Sequence, residues 1–448
     1  MILFRRVAER VLAGAAPAAA LSLLAIGVPF IRFGANVKQY EADIVVAIAL
    51  LLLALDLRER EASTNRLLLY GIVGFVVIWF SQASVLVMAG LGLSLSMEWL
   101  ITRDRRVARG LLISIPMWAA ASLVALVIGL HIMSATTRQF MHDFWAGGFV
   151  PWPLRLQADL HWFWDRWISL FDDATLLRYR RPAVFVVVAA VGIVELWRQR
   201  RPVALLLLGP FLVCLAAAVA HQYPFRGRLV VWLLPSLLLV VAAGVEWLRC
   251  KASFFHPVVG GALMMALLVP PVLALVAAPP PYEIEHHREL LSYLKEHRQP
   301  GDSIYVLQLQ QIGTSFYGPR YGLLPSEWTA GVCDENEPRS YTKDVDRYRG
   351  VRRLSVLSGS GRPLRPIHAA VRYYLGTIGV KTDSLSLPSL TLGSVSIELY
   401  DLSDPTRLRA ATADSFPRPP MPADPRPGCR GWTKADFGTP LTSRDLCM

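Results

Sequence analysis

The sequence predicts a polytopic α-helical membrane domain of about nine spans, residues 1–281, followed by a soluble α/β domain, residues 282–448. Three observations predict it. The 448 residues are 54% hydrophobic and only 18% charged, with a mean hydropathy of +0.39, which is unusual for a water-soluble chain. Long apolar runs recur from Val11 and stop near Ala278, after which polar and apolar residues mix. The net charge of +12 is spread through short loops between those runs, the pattern of membrane topology. No Lys/Arg stripe with interleaved aromatics is present, so nucleic acid is not an expected partner.

The spans follow in order. Residues 11–31 form a run of 21 without a charge, long enough to cross a bilayer. Arg5, Arg6 and Arg10 precede it, so a signal peptide is the rival reading. The length of the run, and the span that follows closely, favour an uncleaved first helix. Residues 43–57 make a short second span, closed by Arg58-Glu59-Arg60-Glu61. Residues 67–97 carry no formal charge, which is roughly 46 Å of helix against a hydrocarbon core of ~30 Å. Ser81-Gln82-Ala83-Ser84 sits near its middle. A hairpin of two spans, 67–80 and 84–101, keeps the basic segments 58–66 and 103–109 on one side, as the positive-inside rule favours.

Residues 110–133 are the fifth span. The long connection 134–181 carries Trp145, Trp152, Trp162, Trp164 and Trp167 among charged residues, which reads as amphipathic helices lying at a membrane interface. Spans 182–197, 202–220, 229–248 and 257–278 complete nine, closed by Pro279-Pro280-Pro281. With the N-terminus inside, the inner segments hold Arg5/Arg6/Arg10, Arg58/Arg60/Arg66, Arg103/Arg105/Arg106/Arg109, Arg198/Arg200/Arg201 and Arg249/Lys251. The short outer loops hold only Arg32, Lys38, Arg226 and Arg228. The tryptophan-rich loop adds six arginines, but long loops count less in this rule.

In the C-terminal domain, helices are expected over 289–298, 341–349 and 367–378. Strands are expected over 303–307, 354–357 and 394–402, with Pro300-Gly301-Asp302 as a turn. The tail after Pro417 is proline-rich and reads as extended. Five cysteines are present, none at metal-binding spacing. If this domain faces an oxidising compartment a Cys333–Cys429 bridge is expected; free thiols are the other reading.

The predicted topology gathers residues 38–43, 81–84, the tryptophan-rich loop and His221-Gln222-Tyr223-Pro224-Phe225-Arg226-Gly227-Arg228 on one outer face. Two guanidiniums held at a membrane surface suit a phosphate. The alternative is that they snorkel to lipid headgroups. An ionisable group at a span boundary is costly and so a functional candidate. Asp43, with Glu41, Lys38 and Tyr40 beside it, reads either as a general base or as a helix N-cap. His142-Asp143 reads as an acid/base pair or a surface pair. Glu195 and Glu246 read as solvated. The residues identify no cofactor, and no site can be assigned for a divalent metal.

These residues resemble a family. Residues 37–43, Phe80-Ser-Gln-Ala-Ser-Val-Leu-Val-Met-Ala-Gly90, Tyr223-Pro-Phe-Arg-Gly-Arg228, residues 290–305 and Tyr317-Gly-Pro-Arg-Tyr321 are similar, in that order, to bacterial GT-C superfamily integral-membrane glycosyltransferases related to dolichyl-phosphate-mannose protein mannosyltransferases. The resemblance implies an inner-membrane protein with an extracytoplasmic C-terminal domain. It implies transfer of a sugar from a polyprenyl-phosphate donor on the outer face, with membrane lipid and the lipid-linked sugar as partners. Asp43 or Glu41 would then be catalytic. Lys38, Tyr40, Gln82, His221, Tyr223, Arg226 and Arg228 would bind substrate. Such enzymes carry an acidic motif in a first outer loop after an additional N-terminal span. Here the first acidic residue is Glu9, on the inner side, so the sequence reads as shortened at its N-terminus. The alternative implied is a non-catalytic relative acting as a membrane scaffold or lipid-linked-sugar binder.

Overall fold

Away from water, a backbone must satisfy its own hydrogen bonds, and helices do so within one segment. The computed structural model describes residues 1–35, 38–59, 63–153, 156–173, 176–179, 181–254, 256–277, 286–332, 339–359, 365–389 and 393–413. The chain divides into two units, Met1–Tyr282 and Glu283–Met448.

The first unit is helical throughout. Its N-terminal part holds α1 (Ile2–Val11), α2 (Ala16–Ala25), α3 (Val28–Gly34), α4 (Tyr40–Glu59), α5 (Thr64–Val77), α6 (Ser84–Thr102) and α7 (Arg105–Ile132). It continues with α8 (Ala135–Phe144), α9 (Leu156–Asp172), α10 (Pro182–Gln199), α11 (Arg201–Val219), α12 (Leu234–Ser253) and α13 (Pro257–Ala277). Among the described residues, six helical segments are long and apolar enough to cross a membrane: α6, α7, α10, α11, Gly227–Ser253 and Val258–Ala277. Exposed apolar residues on α7, such as Leu112, Leu123 and Leu126, would be a liability in water and suit lipid.

The expected first span is not one helix. Residues 11–31 fall across α1, α2 and α3, with α2 and α3 bent by 49°. Gly14 takes a left-handed φ of +61° between α1 and α2, and Pro29 opens α3, which fits the first turn of a new helix better than the middle of an old one. Helix α1 is amphipathic and buries Phe4, Val7, Ala8 and Val11. Glu246 of α12, read as solvated, is instead engaged. It accepts two bonds of 2.7 Å from Arg249 and one from the Ala15 backbone at the start of α2. The break at residues 81–84 is present: α5 ends at Val77 and α6 begins at Ser84. Helix α4 is 20 residues long, but Glu41, Asp43, Asp56, Arg58 and Glu59 crowd its ends.

Where lipid tails compete with apolar side chains, helices associate through small residues and buried hydrogen bonds. A Cβ at Gly192 would lie 2.0 Å from the Val240 carbonyl oxygen, and one at Gly244 would lie 2.0 Å from that of Val188. Helices α10 and α12 therefore touch backbone to backbone. Gly90 and Gly209 do the same for α6 and α11, where Ser94 Oγ donates to the Leu205 carbonyl at 2.7 Å. Ser114 Oγ and Trp118 Nε1 of α7 donate to the carbonyls of Leu67 and Tyr70 on α5, each at 3.2 Å.

The second unit is a three-layer α/β/α fold. Its elements are α14 (His287–His297), β1 (Ser303–Val306), α15 (Gln308–Tyr317), β2 (Thr329–Ala330), α16 (Arg339–Asp346), β3 (Leu354–Gly359), α17 (Arg365–Ile378), β4 (Val380–Ser389), β5 (Gly393–Asp401) and α18 (Pro405–Leu408). The strand order is β2-β1-β3-β5-β4. Strand β1 is parallel to β2 and β3, while β5 is antiparallel to β3 and β4. Ile304, Val306, Leu357, Val395 and Ile397 bury one face under Leu290, Leu291 and Leu294 of α14. Tyr305, Leu354, Val356 and Tyr400 bury the other under Tyr341 and Val345 of α16 and Val371, Tyr374 and Leu375 of α17. The central strands β1 and β3 are covered on both sides, while the edge strand β4 is mostly exposed and β5 alternates apolar with polar residues. The six expected elements are present within a few residues. The sequence reading missed α15, β2 and β4. Cys333 and Cys429 lie outside the described residues; Cys214 and Cys250 are free thiols.

Two predictions follow from this packing. Gly192→Val forces a side chain into backbone, so it should destabilise by about 1–3 kcal/mol, read as a lower thermal midpoint of the purified protein. Val194→Leu on the same helix, at a position 48% exposed, should leave the midpoint unchanged.

His368 on α17 is fully buried; its Nδ1–H donates to the Gly359 carbonyl. Burial pushes its pKa down to about 4, with Arg372 acting in the same direction and the Gly359 bond opposing it. The unfolded chain takes up this proton near the ordinary value of 6.5. The neutral ring's contribution is therefore complete above pH 6.5 and shrinks as pH falls towards 4, by up to roughly 3 kcal/mol. The protection of amides 365–378 in the intact protein, corrected for the intrinsic slowing of exchange with falling pH, should decrease through that window. His368→Asn, which keeps a donor at this position, should abolish the decrease.

Candidate functional site

The loop between α11 and α12 is built from its own residues upward. Helix α11 ends at Val219, His221 takes a left-handed φ of +56°, and Pro224 and Gly227 (φ +50°) turn the chain. A 3-10 segment, Gly227–Leu233, then leads into α12. Tyr223 Oη donates to the Leu229 carbonyl at 2.6 Å, and Trp232 Nε1 donates to the same oxygen at 2.9 Å. The loop is therefore closed on itself, and its arginines have a fixed base.

The tryptophan-rich segment packs directly against it. The Phe225 amide donates to the Gly148 carbonyl at 2.7 Å. A Cβ at Gly148 would lie 2.7 Å from Pro224 Cβ, and one at Gly147 would lie 2.6 Å from a terminal nitrogen of Arg226. His221 Nε2–H donates to the Val150 carbonyl at 2.9 Å. That fixes the tautomer, leaving Nδ1 as acceptor, with His142 Nε2 at 3.4 Å. Phe149 stacks on both rings, with centroids 4.9 Å from His142 and 5.2 Å from His221. His142 also lies 3.6 Å from the Asp143 carboxylate, so the expected pair is joined to a larger ring stack.

Arg228 lies between two aromatic faces, its guanidinium carbon 5.8 Å from the Tyr40 ring centre and 5.6 Å from that of Trp145. Its Nε is buried without a hydrogen-bond partner. Cation–π contact of this kind is worth about 0.5–2 kcal/mol and leaves the terminal N–H groups available. Arg166 of α9 joins the group. Burial first, and the neighbouring Arg226 charge second, pull its guanidinium below the ordinary value, while Asp165 and Asp173 oppose this. Its Nε is also buried and unpartnered. Among the described residues no carboxylate is within ion-pair distance of Arg226 or Arg228. Arg226 and Arg228, like charges without an acid in ion-pair distance, favour an anion, while Asp165 and Asp173 partly offset Arg166.

Asp43 lies nearby, 5% exposed. It is the fourth residue of α4, one turn in, so it does not occupy the N-cap position. One carboxylate oxygen is buried without a hydrogen-bond partner, the buried Ser81 is a neighbour, and Tyr223 is within electrostatic range. Phe33 packs on Tyr40 at 4.9 Å.

The structure thus brings together Tyr40, Asp43, His221, Tyr223, Arg226 and Arg228. Lys38, Glu41 and Gln82 are exposed. Glu41 faces Gly34, and no contact joins these three to Arg228 or Asp43 among the described residues. In place of Gln82, Ser81 and Ser84 are the buried polar groups of that turn. Sequence reasoning missed Trp145, Gly147, Gly148 and Arg166. Their density of tryptophan and glycine was visible, but nothing in it sets which loop they meet. No group of three or more His, Cys, Asp or Glu suited to a metal occurs among the described residues. No family model, curated protein or solved structure matches the chain.

Proposed function

We propose that this protein is a membrane glycosyltransferase of the GT-C type that takes a sugar from a polyprenyl-phosphate donor. The observation that carries the reading is the set of arginines, Arg226, Arg228 and Arg166, with no acid in ion-pair distance of Arg226 or Arg228 among the described residues, and with Tyr40 in electrostatic range of both Arg228 and the buried Asp43. Arg226 and Arg228 clamp the donor phosphate, and Tyr40 and Trp145 hold the Arg228 fork in plane. Asp43 takes the proton of an acceptor hydroxyl. The hydroxyl oxygen bonds to the anomeric carbon, the bond from that carbon to the phosphate oxygen breaks, and the arginines stabilise the charge left on the lipid phosphate.

Two charge-assisted contacts contribute roughly 1.5–3 kcal/mol each before desolvation is counted. Arg228→Ala should therefore weaken binding of polyprenyl phosphate by roughly 10- to 100-fold. Arg228→Lys should also weaken it, since the charge survives but the planar fork does not. Equal affinity in wild type, Arg228→Lys and Arg228→Ala would remove the phosphate site. A second reading, a lipid-linked-sugar binder without transferase activity, is favoured by the burial of Asp43. It predicts retained binding in Asp43→Asn and no sugar transfer by the wild type.

The reading includes a topology of nine spans. To the six long apolar segments it adds the bent α2–α3 pair, α4 and α5. The N-terminus is inside, and the C-terminal unit is extracytoplasmic on a bacterial inner membrane. The arginine-rich inner segments support it. A cysteine placed at Glu61 should resist impermeant labelling from outside intact cells, and labelling there would overturn the topology.

A further inference from the structure

Helix α11 is 19 residues long, so its first residue lies roughly 28 Å from its last. The His221–Arg228 loop follows its end. At its start, on the opposite end of the bundle, is a cavity of about 730 Å³ lined by Arg10, Arg58, Glu59, Arg198, Gln199, Arg200, Arg201, Pro202 and Val203. That volume is within the range of small-molecule sites.

The charges of the lining do not cancel. Arg10 is answered by Asp56 at 2.6 Å and Arg58 by Glu98 at 2.8 Å. Glu195, one turn before Gln199, accepts from the Gln199 amide. This leaves Arg198, Arg200 and Arg201, three positive charges, against Glu59, which lies 3.8 Å from Arg58. Among the lining residues the excess is two positive charges (three minus one), and it is one where the neighbouring Glu195, which the neutral Gln199 amide leaves charged, is counted. Arg200 is fixed in place by donating to the Arg10 carbonyl at 2.7 Å. Arg198 and Arg201 make no side-chain hydrogen bond or ion pair among the described residues. The walls hold no aromatic ring on which a base could stack, and little apolar surface beyond Pro202 and Val203. A nucleoside or an apolar ligand is therefore a poor match.

We infer that this cavity binds a phosphate ligand carrying two negative charges, with Arg198, Arg200 and Arg201 as its contacts. The chemistry, two linked anionic phosphate groups, is shared by the headgroup of a lipid with two phosphodiesters, such as cardiolipin, and by free pyrophosphate, which carries at least two negative charges at neutral pH. The site is separate from the Arg226–Arg228 loop and does not rest on the glycosyltransferase reading. Arg10 and Arg58 act as positioning residues. Their ion pairs, with Asp56 on the same helix as Arg58 and Glu98 on α6, hold α1, α4 and α6 around the cavity.

The test uses the full chain, purified in detergent. Saturable binding is followed by the rise in thermal midpoint as cardiolipin is added in mixed micelles, with phosphatidylcholine as the uncharged comparator and sodium pyrophosphate as the soluble probe. Arg198→Ala/Arg201→Ala breaks no internal ion pair, so the fold should survive. It should weaken binding at least roughly tenfold, while Arg198→Lys/Arg201→Lys retains most of it. Arg226→Ala/Arg228→Ala should leave this binding unchanged, and raising the salt concentration should weaken it. A response to cardiolipin alone assigns a lipid headgroup; an equal response to pyrophosphate assigns a soluble phosphate. No saturable response to either probe, or equal affinity in wild type and Arg198→Ala/Arg201→Ala, overturns the inference.

Discussion

The candidate site depends on one backbone contact: the Phe225 amide bonded to the Gly148 carbonyl, with no space at Gly148 for a side chain. It docks a segment rich in tryptophan onto the loop between α11 and α12. Trp145, Phe149 and the Val150 carbonyl reach Arg228 and His221 only because that register is fixed. Without it, Arg228 would keep one aromatic face, Tyr40, and lose the other. The arginines would then be free to find water or lipid headgroups. The contact gives the basic loop a fixed aromatic wall, with Arg226 exposed and Arg228 half-buried.

The same economy governs the helices. Gly192 against Val240 and Gly244 against Val188 leave no side chain between α10 and α12. Such crossings gain packing and polar contacts that lipid cannot offer. The second unit solves its packing differently. Its central strands are buried on both faces, alternate residues of β1 serving opposite layers: Ile304 and Val306 to one, Tyr305 to the other, joined there by Leu307 just past the strand.

Much of this was legible in the sequence, and the misses share a cause. Apolar run length identified every long helix, because length and lack of charge are local properties. The pattern across residues 81–84 located a break that is present. The run over residues 11–31 was expected as one helix, but it is divided between α1 and the bent α2–α3 pair, because run length counts apolar residues and not bends; Gly14 and Pro29 mattered more than the missing charge. Strand β4 was missed since Lys381, Thr382, Asp383 and Ser384 read as polar loop, a composition that an edge strand tolerates. Helix α15 was missed because Gly313 interrupts its pattern, and that glycine is explained only by the His287 ring packed onto it. At the site, Arg226, Arg228, Tyr223 and Asp43 were legible as chemistry. Arg166 and Trp145 were not, since their role comes from contacts across the fold. Gln82 came from the resemblance over residues 80–90, and the fold leaves it exposed and turns its neighbour Ser81 inward instead.

Glu246 gives the chain a timetable. Its carboxylate accepts from the Ala15 backbone, and it lies where any side chain at Gly14 would be. The start of α2 is thus held by a residue made more than two hundred positions later. At ribosomal speeds of about 5–20 residues per second, that wait is roughly ten to fifty seconds. Through this interval the first helices lie in or on the bilayer without their partner, and the turn at Gly14 is set only when α12 arrives. The turn at Gly14 is therefore made long before α12 and locked only after it.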